Sequence, residues 1–178
     1  RGIARVSVVD SDEKLQERVR FIHERIGTPA IAEQFIEGRE IYVGVIGNDR
    51  LRVLPIWELE FGTIPEGANR IATERVKHDA RYQDKLGIEH GPAKNLGAEL
   101  QMRIVKLAKR ICRTLVLDGY ARIDFRLAAD GTPYCIEANP NPEIAQIEES
   151  AQAARHDGMT YRDLINRIVA LGISRARS

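Results

Sequence analysis

The chain has 178 residues, with 27 Lys plus Arg against 26 Asp plus Glu and a formal net charge of +1. That balance gives no net field to draw in nucleic acid or an anionic membrane, and 43% hydrophobic with 30% charged residues is the composition of a globular protein long enough to bury a core. No apolar run approaches the ~18 residues of a membrane helix and no signal peptide opens the chain. Cys112 and Cys135 lack metal-ligand spacing, which favours free thiols in a reducing cytoplasm.

In chain order, residues Arg1 to Asp10 begin in mid-pattern, with Ile3, Val6, Val8 and Val9 reading as a strand, as in a piece of a longer protein. Ser11 is a good N-cap, with Asp12 and Glu13 in the first turn and Leu15, Val19, Phe21, Ile22 and Ile26 as the apolar stripe of a helix that Gly27 ends. Ile31 to Ile36 and Glu40 to Gly47 read as two strands around a turn at Glu37-Gly38-Arg39. Leu51 to Phe61 then runs back as a third, interrupted by Pro55. A short extended piece, Arg70 to Val76, precedes a polar loop from His78 to Asn95. Leu96 to Leu117 is the strongest helix, apolar along Leu100, Ile104, Leu107, Ala108, Ile111 and Leu115. The chain closes with helices over Ile147 to His156 and from a capping-box-like Thr160/Asp163 to Gly172.

Between these helices, YARIDFRLAADGTPYCIEANPNPE over residues 120–143 reads as a hairpin turning at Asp130-Gly131. With those two residues as the loop, Asp124 lies opposite Glu137 and Arg122 opposite Asn139. Ile123, Phe125 and Leu127 then share an apolar face with Tyr134, Ile136 and Ala138. Two facing carboxylates repel unless something positive lies between them. Arg122 can do that in a structural ion-pair network. Asp, Glu and Asn also form the hard oxygen set that Mg²⁺ prefers. A one-residue change in the loop would put the two acids on opposite faces.

Elsewhere the signals divide between function and ordinary structure. Glu33 and Glu40 sit at the margins of apolar runs, where edge-strand charges placed against aggregation would also appear. Lys77, taken alone, is a surface lysine. His78, His90 and His156 have no partner acids or cysteines at metal-ligand spacing, and Trp57 reads as core or groove wall.

RIDF followed by IEANPNP resembles the C-terminal signature of ATP-grasp enzymes, and EQFIEGREIYVGVIG resembles their adenine-binding strand pair. The nearest likeness is to D-alanine:D-alanine ligase and its relatives, over nearly the whole chain. The resemblance implies an α+β ATP-grasp fold of antiparallel sheets with packed helices. Residues 1–37 would be the remainder of the central subdomain and 38–178 the C-terminal subdomain, with the N-terminal substrate domain absent. It implies Asp124, Glu137 and Asn139 as ligands of Mg²⁺ (or Mn²⁺), Arg122 as the catalytic group on the transferred phosphoryl, and Lys77 on the ATP phosphates. Glu33 with the backbone near Phe35 and Ile36 would read adenine, and Glu40 would hold the ribose. The implied reaction is carboxylate-amine (or carboxylate-thiol) ligation through an acyl phosphate in the cytoplasm, on small-molecule substrates such as an amino acid or peptide. No nucleic-acid or membrane partner is expected, and a homodimer is carried as an expectation.

One departure stands out. Where the dipeptide ligases have a Pro-Gly-Met type of turn, this chain has Pro142-Glu143-Ile144, and the added side chain and charge argue against D-alanine specificity. Ser150 lies near the place of an expected second-substrate serine. The alternative is a noncatalytic nucleotide- or metal-binding module that kept the metal face and lost the chemistry.

Overall fold

The computed structural model describes residues 5–62 and 87–177. It divides into two compact units, one of residues 1–36 and 61–88, the other of residues 37–60 and 89–178. Lys77, His78 and the extended piece at Arg70 to Val76 lie outside the described residues.

In the first unit the expected helix is present as α1 (Asp12–Phe21), and Ser11 Oγ accepts from the Lys14 N–H at 3.3 Å. A π-helical turn, Ile22–Ile26, follows, and Gly27 ends it at φ 75°, a left-handed conformation that glycine adopts without strain. The two strands expected before Arg39 are not formed among the described residues: Arg5–Ser7 is a single 3-10 turn and Ile31 to Ile36 has no ladder. Strand propensity measures how well side chains fit a half-buried pleated surface. Val6 and Ile31, 67% and 85% exposed, have no such surface here.

The second unit is built on an antiparallel sheet. Its strands are β1 (Arg39–Ile46), β2 (Arg52–Val53), β3 (Trp57–Glu60), β4 (Glu89–Pro92), β5 (Tyr120–Leu127) and β6 (Pro133–Asn139). The order is β4-β3-β1-β5-β6, with β2 paired to the end of β1. The expected polar loop over His78 to Asn95 thus contains a strand. Glu-His-Gly-Pro is a poor strand former, and β4 exists because β3 pairs with it at the sheet edge, where Pro92 is tolerated.

One face of the sheet is apolar: Ile41, Val43 and Val45 of β1 and Ile123, Phe125 and Leu127 of β5 pack against α2 (Ala98–Thr114) through Ile104, Ala108 and Cys112. Glu58 is buried on this face, held by the Arg39 fork at 2.7 and 2.6 Å. The other face is crossed at its Gly44 and Tyr120 end by α3 (Glu149–His156) and α4 (Tyr161–Ala176), which bury Ala151, Ala154 and Leu164. Helix α4 runs through Gly172 to Ala176, a turn beyond the expected stop.

The hairpin differs from expectation in a way that leaves its facing acids in place. Gly131 N–H donates to the Ala128 carbonyl and Ala128 N–H to the Thr132 carbonyl, so the loop has three residues, Ala129 to Gly131, with Gly131 at φ 79°. The pairs Leu127–Pro133, Arg126–Tyr134 and Phe125–Cys135 follow from that longer loop. An irregularity between Asp124 and Phe125 then leaves Ile136 as an extra residue on β6, which restores Asp124–Glu137 and Arg122–Asn139. The expected core placement of Tyr134 and Ile136 is overturned. Tyr134 stands opposite Arg126, and Tyr134 and Ile136 are 42% and 55% exposed on the outer strand.

Candidate functional site

The face opposite α2 collects every second residue of three adjoining strands. Register places Glu40, Tyr42 and Gly44 of β1 beside Arg126, Asp124 and Arg122 of β5, and those last two beside Glu137 and Asn139 of β6. Alternation along each strand thus makes a continuous polar strip from Glu40 to Asn139.

Arg122 lies at its centre. Nε donates to Asp124 Oδ1 at 2.7 Å and Nη2 to Oδ2 at 2.9 Å, the bidentate geometry that suits a guanidinium to a carboxylate. Nη1 donates to Glu149 Oε2 at 3.1 Å, and the guanidinium carbon sits 5.0 Å from the centre of the Tyr42 ring. Tyr42 OH donates to Glu40 Oε1 at 2.8 Å, and Arg126 pairs with Glu40 Oε2 at 3.0 Å. Arg126 also donates to the Gly38 carbonyl at 3.0 Å. His90 Nδ1 lies 3.5 Å from Glu149 Oε1.

The side chains of Glu40, Arg122, Asp124, Arg126 and Glu149 are each between 9% and 13% exposed, so their charges interact with little solvent screening. Burial alone would lower the Arg122 pKa, but the hydrogen bonds and charge of Asp124, then Glu149, raise it. Burial, then the Glu40 charge, pushes the Tyr42 phenol well up, which keeps it a neutral donor. Burial likewise lowers His90, against the pull of Glu149 and Glu40. Glu148 is pushed up by burial and by the neighbouring Glu149 and Glu143 charges.

Of the residues expected at a site, Arg122, Asp124, Glu137, Asn139 and Glu40 come together on this strip. Glu33, Phe35 and Ile36 lie in the first unit, on a segment without strand pairing, and Lys77 lies outside the described residues. Tyr42, Arg126, His90 and Glu149 were missed. The first two carried a signal, since they sit two residues from Glu40 and Asp124 on the same strand face. His90 and Glu149 arrive from separate segments and carried none.

Among the described residues no three Asp, Glu, His or Cys side chains converge. The oxygen donors that register brings side by side are the carboxylates of Asp124 and Glu137 and the amide oxygen of Asn139, which also accepts from the Asn141 N–H at 2.9 Å. That set fits a hard divalent ion. Asp124 is shared with Arg122, but an ionised carboxylate offers about four lone-pair sites, enough for an arginine fork and a metal together. The buried strip favours a cation too: Glu40, Asp124 and Glu149 outnumber Arg122 and Arg126 by one charge, before the exposed Glu137 is added.

A family model described as the D-ala D-ala ligase C-terminus matches residues 3–170, nearly the whole chain. The chain belongs to this family. A D-alanine–D-alanine ligase of Geobacillus thermodenitrificans is 35% identical over 145 residues, 82% of this chain and 37% of the relative. An uncharacterized protein of Sinorhizobium fredii is 30% identical over 168 residues, 92% of this chain and 47% of the relative. The D-alanine–D-alanine ligase of Bacillus anthracis complexed with ATP superposes with a TM-score of 0.74 at 21% identity, covering 95% of this chain and 49% of that one. The fold is therefore the α+β ATP-grasp fold. The chain spans about half the length, or less, of the relatives it matches. Among the described residues no helix is long and apolar enough to cross a membrane.

Proposed function

We propose that the protein carrying this chain is an ATP- and Mg²⁺-dependent ligase that activates a carboxylate as an acyl phosphate and transfers the acyl group to an amine or similar nucleophile. The observation that carries this is the register of β5 and β6, which aligns Arg122 and Asp124 with Asn139 and Glu137 on one strip that runs from the sheet interior to the edge strand. Phosphoryl transfer needs positioning and neutralisation of charge spread over phosphate oxygens. Mg²⁺ on Asp124, Glu137 and Asn139 would supply Lewis-acid neutralisation, and Arg122 a fixed guanidinium for the transferred phosphoryl. Glu40 would accept from ribose hydroxyls, Glu33 and the backbone at Phe35 and Ile36 would read adenine, and Lys77 would meet ATP phosphates.

The family supports ligation, and ATP is bound by one protein of the same fold. Residues 1–37 belong in this proposal to the ATP-grasp central subdomain and 38–178 to the C-terminal one. Cytoplasmic location and small carboxylate and amine substrates go with it, and a homodimer is read by light scattering. Exposed Glu143, at the turn after Pro142, argues for an acceptor other than D-alanine. Calorimetric titration of the full-length protein with Mg-ATP, repeated on Glu137→Ala, is the test. The variant is expected to bind at least tenfold more weakly, and equal affinity would remove the metal assignment. Tight ATP binding without turnover across a panel of amino acids and peptides would favour the noncatalytic module.

A further inference from the structure

We propose that Glu149 is a positioning residue for Arg122, carried to the site by the first turn of α3. This rests on the assignment of Arg122 to the phosphoryl group. A guanidinium has five N–H donors, and three are engaged: Nε and one on Nη2 by Asp124, one on Nη1 by Glu149. One N–H on each Nη nitrogen is left to meet an oxyanion. Asp124 alone fixes one edge of the planar guanidinium but lets the plane hinge about that edge, which swings the far nitrogen, Nη1. Glu149 holds that nitrogen, and the Tyr42 ring 5.0 Å beneath fixes the plane. The three contacts come from three different elements, β5, α3 and β1, so the orientation is set by tertiary structure and not by the hairpin alone.

The first turn of α3 is where the helix dipole favours a carboxylate, and Glu149 is held there at 13% exposure. His90, from β4, lies 3.5 Å from the other oxygen of the same carboxylate. A carboxylate spent on Arg122 in this way weakens ground-state affinity for anions slightly, while making the remaining donors point one way. The gain appears in the transition state, when charge builds on the transferred phosphoryl oxygens.

The test uses the full-length protein with Glu149→Gln and Glu149→Ala, both checked for native folding by thermal melt. The first readout needs no turnover: the Arg122 Nε–H resonance in a nitrogen-15 spectrum, identified by its loss in Arg122→Lys. It is expected to be sharp and solvent-protected in the wild type, shifted in Glu149→Gln, and broadened in Glu149→Ala. The second is ATP turnover, expected to fall about 10- to 100-fold in kcat for Glu149→Ala, with the KM for ATP within about twofold and Glu149→Gln recovering part of the loss. An unchanged Arg122 resonance in Glu149→Ala overturns the positioning role whether or not the protein hydrolyses ATP. Absence of turnover in the wild type, with the resonance responding as expected, overturns the ligase reading and leaves the positioning intact. Equal loss of kcat and affinity in both variants overturns the positioning role, since that pattern marks general disruption.

Discussion

Replacing Arg122 with Met keeps an unbranched, flexible stem and removes the charge and all three of the hydrogen bonds to carboxylates. Asp124 and Glu149, at 9% and 13% exposure, are then left without that guanidinium in a poorly solvated position. Breaking a buried pair from one side costs about 3–5 kcal/mol, most of it the penalty on the abandoned charges. Arg122→Lys keeps a charge without the fork and is expected to lose about 1–3 kcal/mol. Trp57, the single tryptophan, is buried on β3 of the same unit, so its fluorescence in a urea titration follows this unit directly. With an m-value of about 2 kcal/mol/M, the Met variant's midpoint should fall by roughly 2 M. Mg²⁺ should restore more of that loss in the variant than it adds to the wild type, because it supplies positive charge beside Asp124, which has lost its guanidinium. A midpoint within about 0.5 M of wild type, equivalent to roughly 1 kcal/mol, would refute the claim that these charges are buried and mutually dependent.

Other consequences can be measured independently. Phe125→Ala and Ile104→Ala, at 1% and 0% exposure on either side of the sheet–helix interface, should lose about 3–5 and 2–5 kcal/mol in the same titration. Gly38→Ala should destabilise by more than about 1 kcal/mol, since Gly38 has φ 149° and a Cβ there would run into the Leu127 carbonyl. His90 has a pKa lowered in the fold by burial. The unfolded chain therefore binds the proton more readily, and stability is full above the unfolded value near 6.5 and falls as pH drops below it. Comparing urea midpoints at about pH 7.5 and about pH 5.5, His90→Gln should show a smaller drop than wild type. Cys135 is exposed and Cys112 is 1% exposed, with burial pushing the Cys112 thiol up. A thiol reagent should label Cys135 in the native protein and Cys112 only on unfolding.

Much of the chain was legible in its sequence because the relevant information is local. Periodicity gave α1 and α2, the Ser11 and Thr160 caps set two helix starts, and Gly27 set a stop, each through backbone groups a few residues away. The facing of Asp124 with Glu137 was also legible, though through two departures that cancel. A loop one residue longer than expected shifts the register of β6, and the extra Ile136 shifts it back. Sequence near the turn could not reveal that cancellation, because a bulge is set by how the edge strand fits the twisted sheet.

What the sequence by itself determined is the set of oxygen donors and the arginine, the helices with local caps, and the family to which the motifs belong. The tertiary structure decided which strands exist and what holds Arg122. Residues 89–92 became a strand because β3 offered a ladder, while Ile31 to Ile36, a better strand former, found none among the described residues. Glu149 and His90 reach the strip from segments 27 and 32 residues away from Arg122 in the chain, on elements that have nothing in common until they fold. Short-range signals fix backbone geometry within a few residues. The orientation of a buried guanidinium depends on carboxylates brought from a distance, and only packing sets where those arrive.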